Sequence, residues 1–169
     1  MDYPMIVCIK HGLRQCPDCP PSVIPQVHIN RKYDVPYVAG YSSDGNVVYI
    51  DRKLPRKFHT TTEKLVMVDQ YLILHEVVEK SLMDRMGCGY NEAHILALGA
   101  ELAALSRDGV PPDEYYGFIW GWFDETRQIE NIHRTPPDLD LSCYREDKQT
   151  AIIERLRELG HNQLTAESK

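Results

Sequence analysis

The chain has 169 residues, of which 43% are hydrophobic and 26% are charged, so it is long enough to bury the core of one domain without disulfides. Its formal net charge of -6 argues against broad, non-specific binding to nucleic acid, which needs a positive surface. No apolar run approaches the ~20 residues that span a bilayer, and residues 1–10 hold too short an apolar stretch for a secretory signal. We therefore expect a cytoplasmic protein that makes no contact with a membrane.

Residues 1–30 are rich in Cys, Pro and His and lack a helical period, so we expect an irregular N-terminal segment without a helix or a central strand. In this segment Cys8 and His11 are followed after four residues by Cys16 and Cys19. Four soft ligands so close together are typical of a structural tetrahedral zinc site, similar to a zinc knuckle, that would staple the segment or bind a partner. The alternative is a set of unligated side chains in a reducing compartment.

Residues 31–160 are predicted to form the main domain, and they begin with β-structure. Two runs rich in Val, Ile and Tyr, residues 37–41 and 47–50, flank Asp44-Gly45 and predict a β-hairpin. A polar loop is predicted over residues 52–61. We expect its basic side chains to be solvated, with a local nucleic-acid contact as the less favoured alternative; these are Arg52, Lys53, Arg56 and Lys57.

Four helices are predicted after this loop. The first begins at one of the capping threonines of residues 60–62 and ends at about Met86, because apolar residues recur at spacings of three and four and Gly87 follows. The others are predicted over residues 91–107, 113–133 and 148–159, and residues 161–169 form a polar tail. This order predicts an α+β fold in which a small hairpin or sheet packs against about four helices.

Polar residues interrupt the apolar faces of the first two helices. His75 and Glu79 are four residues apart, so they share one face of a helix, and Glu76 lies at the edge of that face. The second helix carries His94 and Glu101 on its inner face. Two His and one carboxylate are a ligand set of catalytic zinc. We therefore predict a metal site at His75, Glu79 and His94, with Glu101 as a less defined fourth ligand.

The chemistry of this donor set leaves two questions open. Mixed His and carboxylate ligands suit manganese, iron or nickel as well as zinc. The same residues could also form a purely structural network, in which the two imidazoles pair with two of the carboxylates and no metal binds. Charged groups buried without partners would cost several kcal/mol, which favours the metal over a core that holds them unpaired.

The first helix resembles the H-E-x-x-H helix of zincin metallopeptidases, with Glu79 in the place of the second His. This resemblance implies a zincin-like fold in which an edge strand, here Val47–Ile50, lines the substrate cleft. Over about residues 47–145 the chain also resembles uncharacterised proteins of phages and prophages, which implies a viral origin and the host cytoplasm. The residues that carry the second resemblance are 48–52, 74–80, Tyr90, Ala93, His94, Ala100, Glu101, 137–140 and Tyr144.

The leading hypothesis from the sequence is a zinc-dependent hydrolase of the peptidase type. Glu76 would act as its general base, and Tyr90 or His133 would stabilise the oxyanion. The alternative is a non-catalytic phage accessory or adaptor protein, in which structural metal holds a surface that binds another protein. Both hypotheses imply a peptide or protein partner, and neither fixes the oligomeric state.

Overall fold

Six strands precede five α-helices along the described residues, 5–6 and 26–160, of the computed structural model, so the α+β class is confirmed. The strands are β1 (Met5–Ile6), β2 (Gln26–Asn30), β3 (Ala39–Tyr41), β4 (Val47–Ile50), β5 (Lys57–His59) and β6 (Leu65–Met67). The helices are α1 (Asp69–Met86), α2 (Tyr90–Arg107), α3 (Pro112–Thr126), α4 (Ser142–Glu146) and α5 (Thr150–Glu158), with a 3₁₀ turn at Ile129–Asn131. None of these described helices combines the length and the apolar composition that crossing a bilayer requires.

The predicted hairpin is confirmed as β3 and β4, which pair antiparallel across Gly45. Gly45 has a φ of 71°, a conformation that costs glycine little, and Asp44 accepts a hydrogen bond from the N–H of Asn46. The four-stranded sheet has the order β1-β2-β4-β3, with β2 parallel to β4. Because β2 covers the far side of β4, the expectation that Val47–Ile50 is the edge strand is wrong, and Ala39–Tyr41 holds that place.

Strand β2 lies in the part of the chain that we predicted to be an irregular N-terminal segment. Val27 is buried, and Ile29 packs against the same core. This alternation is typical of a strand, and Pro25 stands just before its first residue, where a missing N–H removes no ladder bond. The main sheet therefore extends to residues that precede the predicted boundary at residue 30.

The predicted start of the first helix at residues 60–62 is wrong, because α1 begins only at Asp69. Residues 65–67 form β6, which pairs with β5. Val66 is 2% exposed while its neighbours Leu65 and Met67 are each 47% exposed, which is the two-residue period of a strand. Between the two strands Glu63 has a positive φ, which turns the chain. The helical spacing of the leucines and valines in this region was coincidental.

Helices α1 and α2 form the centre of the domain. They pack against each other, and α1 also packs on β3 and β4. Helix α1 ends at Gly87 in the left-handed conformation, as predicted, and α2 begins within one residue of its predicted start. Seven residues in a row at the middle of α1 bury their side chains, residues 73–79. This stretch contains the predicted metal ligands of α1, so they lie between the sheet and α2.

The third helix ends at Thr126, earlier than the predicted residue 133. Side chains capture its last carbonyls, because Gln128 donates to the carbonyl of Asp124 and Asn131 donates to that of Glu125. The predicted loop before the last helix contains the short helix α4. A second hydrophobic cluster joins α4 and α5 to β4, and its largest side chain is Tyr144.

Candidate metal centre

Three predicted ligands come together where α1 crosses α2. His75 Nε2 lies 3.1 Å from His94 Nδ1 and 3.4 Å from Glu79 Oε2. His94 Nδ1 lies 2.8 Å from the same Glu79 oxygen. His75 and Glu79 are buried and His94 is half-buried, so the three donor atoms face one another at the boundary between the core and the surface. The structure therefore places His75, Glu79 and His94 as the sequence predicts.

These three atoms fit the donor set of one small divalent cation. A tetrahedral zinc with bonds of about 2.0–2.2 Å holds its nitrogen and oxygen donors roughly 3.3–3.5 Å apart. The separations of 2.8, 3.1 and 3.4 Å are close to that range. The two shorter ones are hydrogen-bond distances, and they would lengthen by roughly half an ångström or less if a cation replaced the shared protons. Protein side chains occupy three positions, which leaves a fourth available to another molecule.

Glu101 lies on the opposite side of the His75 ring from the donor triangle. Its Oε2 is 3.2 Å from His75 Nδ1, and its Oε1 accepts a hydrogen bond of 2.7 Å from the hydroxyl of Tyr115. A carboxylate on the second nitrogen of a ligating imidazole fixes the ring and directs its free nitrogen at the metal. The structure thus puts Glu101 behind a ligand, outside the group of converging donors, where it would orient His75.

Tyr41 and Tyr115 are members of the site that the sequence analysis did not identify. The Tyr41 hydroxyl on β3 donates to Glu79 Oε1 over 3.1 Å, so both Glu79 oxygens are engaged. Tyr115 on α3 plays the corresponding part for Glu101. Nothing in the local sequence marks either residue, because each meets its partner only through packing of distant elements. An aromatic residue on a predicted edge strand was the one available signal, and it pointed to Tyr41.

Glu76 is 8% exposed and lies beside the donors, yet it takes part in none of their hydrogen bonds. Its side chain lines the same cavity as His75 and Glu79. Burial and then the charge of Glu79 raise the pKa of Glu76 well above its usual range. A carboxyl group of this kind, held near a cation site and open to the cavity, has the placement that a general base needs.

Opposing effects set the protonation of the ligands themselves. Burial disfavours the charged form of His75, but hydrogen bonds to Glu101 and Glu79 outweigh it and raise the pKa of His75 to about 10. Burial would likewise raise the pKa of Glu79, but hydrogen bonds from His75 and His94 lower it. Without a metal the site is therefore a protonated imidazole among carboxylates. A metal would have to displace the proton from His75 Nε2.

A cavity of about 330 Å³ opens beside the donors. Strand β3 forms one wall, α1 and α2 form the floor, and α3 and α4 form the other sides. Tyr90 lines this cavity, and its ring lies 5.4 Å from that of His94. His133, the other candidate for the oxyanion, is exposed and does not line the cavity, so the structure gives no support to that role.

The two other predicted features lie apart from this centre. Cys8, His11, Cys16 and Cys19 fall outside the described residues, so the N-terminal zinc site stays a prediction. In the basic loop, Arg52 forms an ion pair of 2.6 Å with Asp34, and Arg56 lies 3.8 Å from Asp69. Two of the four basic side chains therefore have carboxylate partners.

No family model, curated protein or solved structure matches the chain. The resemblances to zincins and to phage proteins therefore stay predictions, and the functional assignment depends on the geometry of the site.

Proposed function

We propose that this protein is a zinc-dependent hydrolase that cleaves a peptide bond. One observation carries the proposal: donor atoms of His75, Glu79 and His94 converge to within 3.4 Å of one another at the floor of a cavity. Two imidazoles and a carboxylate with one position left over are a ligand set of catalytic zinc. The carboxylate of Glu101 on the rear nitrogen of His75 adds the outer contact that such ligands have.

The residues around the donors can perform the steps of a hydrolysis. Zinc, when bound, would supply a Lewis acid and make a nearby water acidic. Glu76, buried and outside the hydrogen bonds of its neighbours, is placed to accept a proton from that water and to return it to the leaving amine. Tyr90 is the cavity-lining hydroxyl available to stabilise an oxyanion.

A peptide suits the cavity because the edge of the sheet forms its wall. Hydrogen bonds from Asp51 N to Val38 O and from Ser42 N to Val47 O set the register of β3 on β4. In an antiparallel ladder the intervening residue, Ala39, then turns its N–H and C=O away from β4. Ala39 lines the cavity, so a peptide there could form one pair of backbone hydrogen bonds with it.

The test uses a mixture of peptides and mass spectrometry to detect new termini. We expect the zinc-loaded wild type to cleave, and Glu76→Gln to cleave at least about 100-fold more slowly while it retains its metal. Glu92→Gln is the matched control, because Glu92 is exposed on the same pair of helices and should leave cleavage unchanged. Equal cleavage by wild type and Glu76→Gln, or none by the zinc-loaded wild type, would refute the proposal.

A second candidate function is a non-catalytic accessory or adaptor protein in which the metal is structural. The observation that favours it is the outward face of α2, where Ile95 is 68% exposed, Leu96 50% and Leu102 44%. Exposed apolar side chains this close together are typical of surfaces that bind other proteins. In this case Glu76→Gln would leave function unchanged, whereas Leu96→Asp would weaken the capture of a partner.

A further inference from the structure

The walls of the cavity carry information about the substrate of the proposed hydrolase. Helix α3 contributes a wall of large apolar side chains, Tyr116, Ile119, Trp120 and Phe123. Trp120 is 58% exposed, although its indole is among the largest apolar groups of the chain. An aromatic side chain held at the mouth of a cavity provides a contact surface for an apolar group that enters there.

The charges of the lining are all of one sign. Five acidic residues line the cavity, and among the described residues no Lys or Arg does; the acidic residues are Glu76, Glu79, Glu101, Asp140 and Asp147. The nearest cations are already engaged. Lys80 contacts Asp84 at 2.8 Å and Asp140 at 3.3 Å, and Arg127 lies over the ring of Phe123 and near Asp124.

One rim carboxylate faces incoming molecules with no cation beside it in the described structure. Asp147 accepts a hydrogen bond of 3.1 Å from Tyr37, whose ring stacks on Phe123 at a centroid distance of 4.9 Å. A bound divalent cation would offset the charges of the donors at the floor, but it would not offset the rim. A carboxylate on the substrate would therefore meet like charge as it enters.

We propose that the cavity selects peptide segments that carry a bulky apolar side chain and excludes segments that carry an acidic one at the same position. This inference rests on the proposed function for its substrate, but it concerns recognition alone and so can be tested by binding. The apolar wall of α3 provides the attraction. The acidic lining, with Asp147 at the rim, provides the exclusion.

The experiment measures the binding of four blocked pentapeptides, identical except for a central Phe, Ala, Gln or Glu, by isothermal titration. Zinc-loaded Glu76→Gln protein is used so that the peptides are not consumed. We expect the Phe peptide to bind about tenfold more tightly than the Ala peptide. The Gln peptide should bind about tenfold more tightly than the Glu peptide, which has the same shape.

Variants assign each preference to its wall. Trp120→Ala should remove most of the preference for Phe over Ala and leave the ratio of Gln to Glu unchanged. Asp147→Asn should reduce the ratio of Gln to Glu to about threefold, since an exposed charge is screened by salt. Leu102→Ala and Glu154→Gln, exposed residues that do not line the cavity, are the controls and should change neither ratio.

Equal affinities for the Phe and Ala peptides, equal affinities for the Gln and Glu peptides, or no binding of any peptide would overturn the inference. Binding in the expected order by a protein that cleaves none of the four as zinc-loaded wild type would support the inference. That result would count against the hydrolase alone.

Discussion

Glu101→Gln tests whether the second row of residues behind the donors sets metal affinity. Glu101 accepts hydrogen bonds from His75 Nδ1 at 3.2 Å and from the Tyr115 hydroxyl at 2.7 Å. A glutamine has the same shape, and its amide can still accept from His75 and donate to Tyr115. The fold should therefore survive, and the change removes the negative charge that strengthens His75 as a ligand.

Loss of an outer contact of this kind weakens metal binding by about 10- to 100-fold, which is about 1.4–2.8 kcal/mol. The assay is a competition titration of zinc against a chromophoric chelator, with circular dichroism to verify folding. Tyr115→Phe retains the charge of Glu101 and removes one hydrogen bond, so it should weaken binding by less than about tenfold. Unchanged zinc affinity in Glu101→Gln, or a larger loss in Tyr115→Phe, would refute the reasoning.

Three further predictions concern stability, each measured by urea unfolding. Val66→Ala should lower the free energy of unfolding by about 1–3 kcal/mol and Leu65→Ala by less than about 0.5, because only Val66 is buried in β6; the reverse order would restore the helix predicted there. Gly45→Ala should cost about 1–2 kcal/mol because Gly45 has a φ of 71°, whereas Gly117→Ala in α3 should stabilise by about 0.5–1; equal effects would contradict the turn geometry. In metal-free protein the pKa of His75 is raised from 6.5 to about 10, so its stabilisation is complete below pH 6.5 and is lost as the pH rises through about 10. The free energy of unfolding should then fall by up to about 1.4 kcal/mol per pH unit in that window, and His75→Gln should lack this component.

The donors could be predicted from sequence because their arrangement is local. Four residues separate His75 from Glu79, and any helix places such a pair on one face. The short connection at Gly87 returns the chain beside α1, so His94 on the next helix comes back to the same level. This step needed only the assumption that two consecutive helices pack together.

The partners of the donors could not be predicted because they depend on contacts between distant segments. Tyr41 meets Glu79 across 38 positions of the chain, and its neighbouring strand β3 became the sheet edge only because β2 pairs with the far side of β4. The start of α1 failed for a different reason. Over a few residues an apolar spacing fits both a strand and a helix, and the pairing of residues 57–59 with 65–67 decides between them.

Metal content per chain, determined by elemental analysis, tests the central claim most directly. Wild type, His75→Ala and Cys16→Ala would be purified in the same way and compared. The account predicts that His75→Ala loses one equivalent of zinc relative to wild type, and that any metal held through Cys16 is retained in that variant. If His75→Ala holds as much metal as the wild type, the residues around His75 form a polar network of the core, and the hydrolase proposal is contradicted.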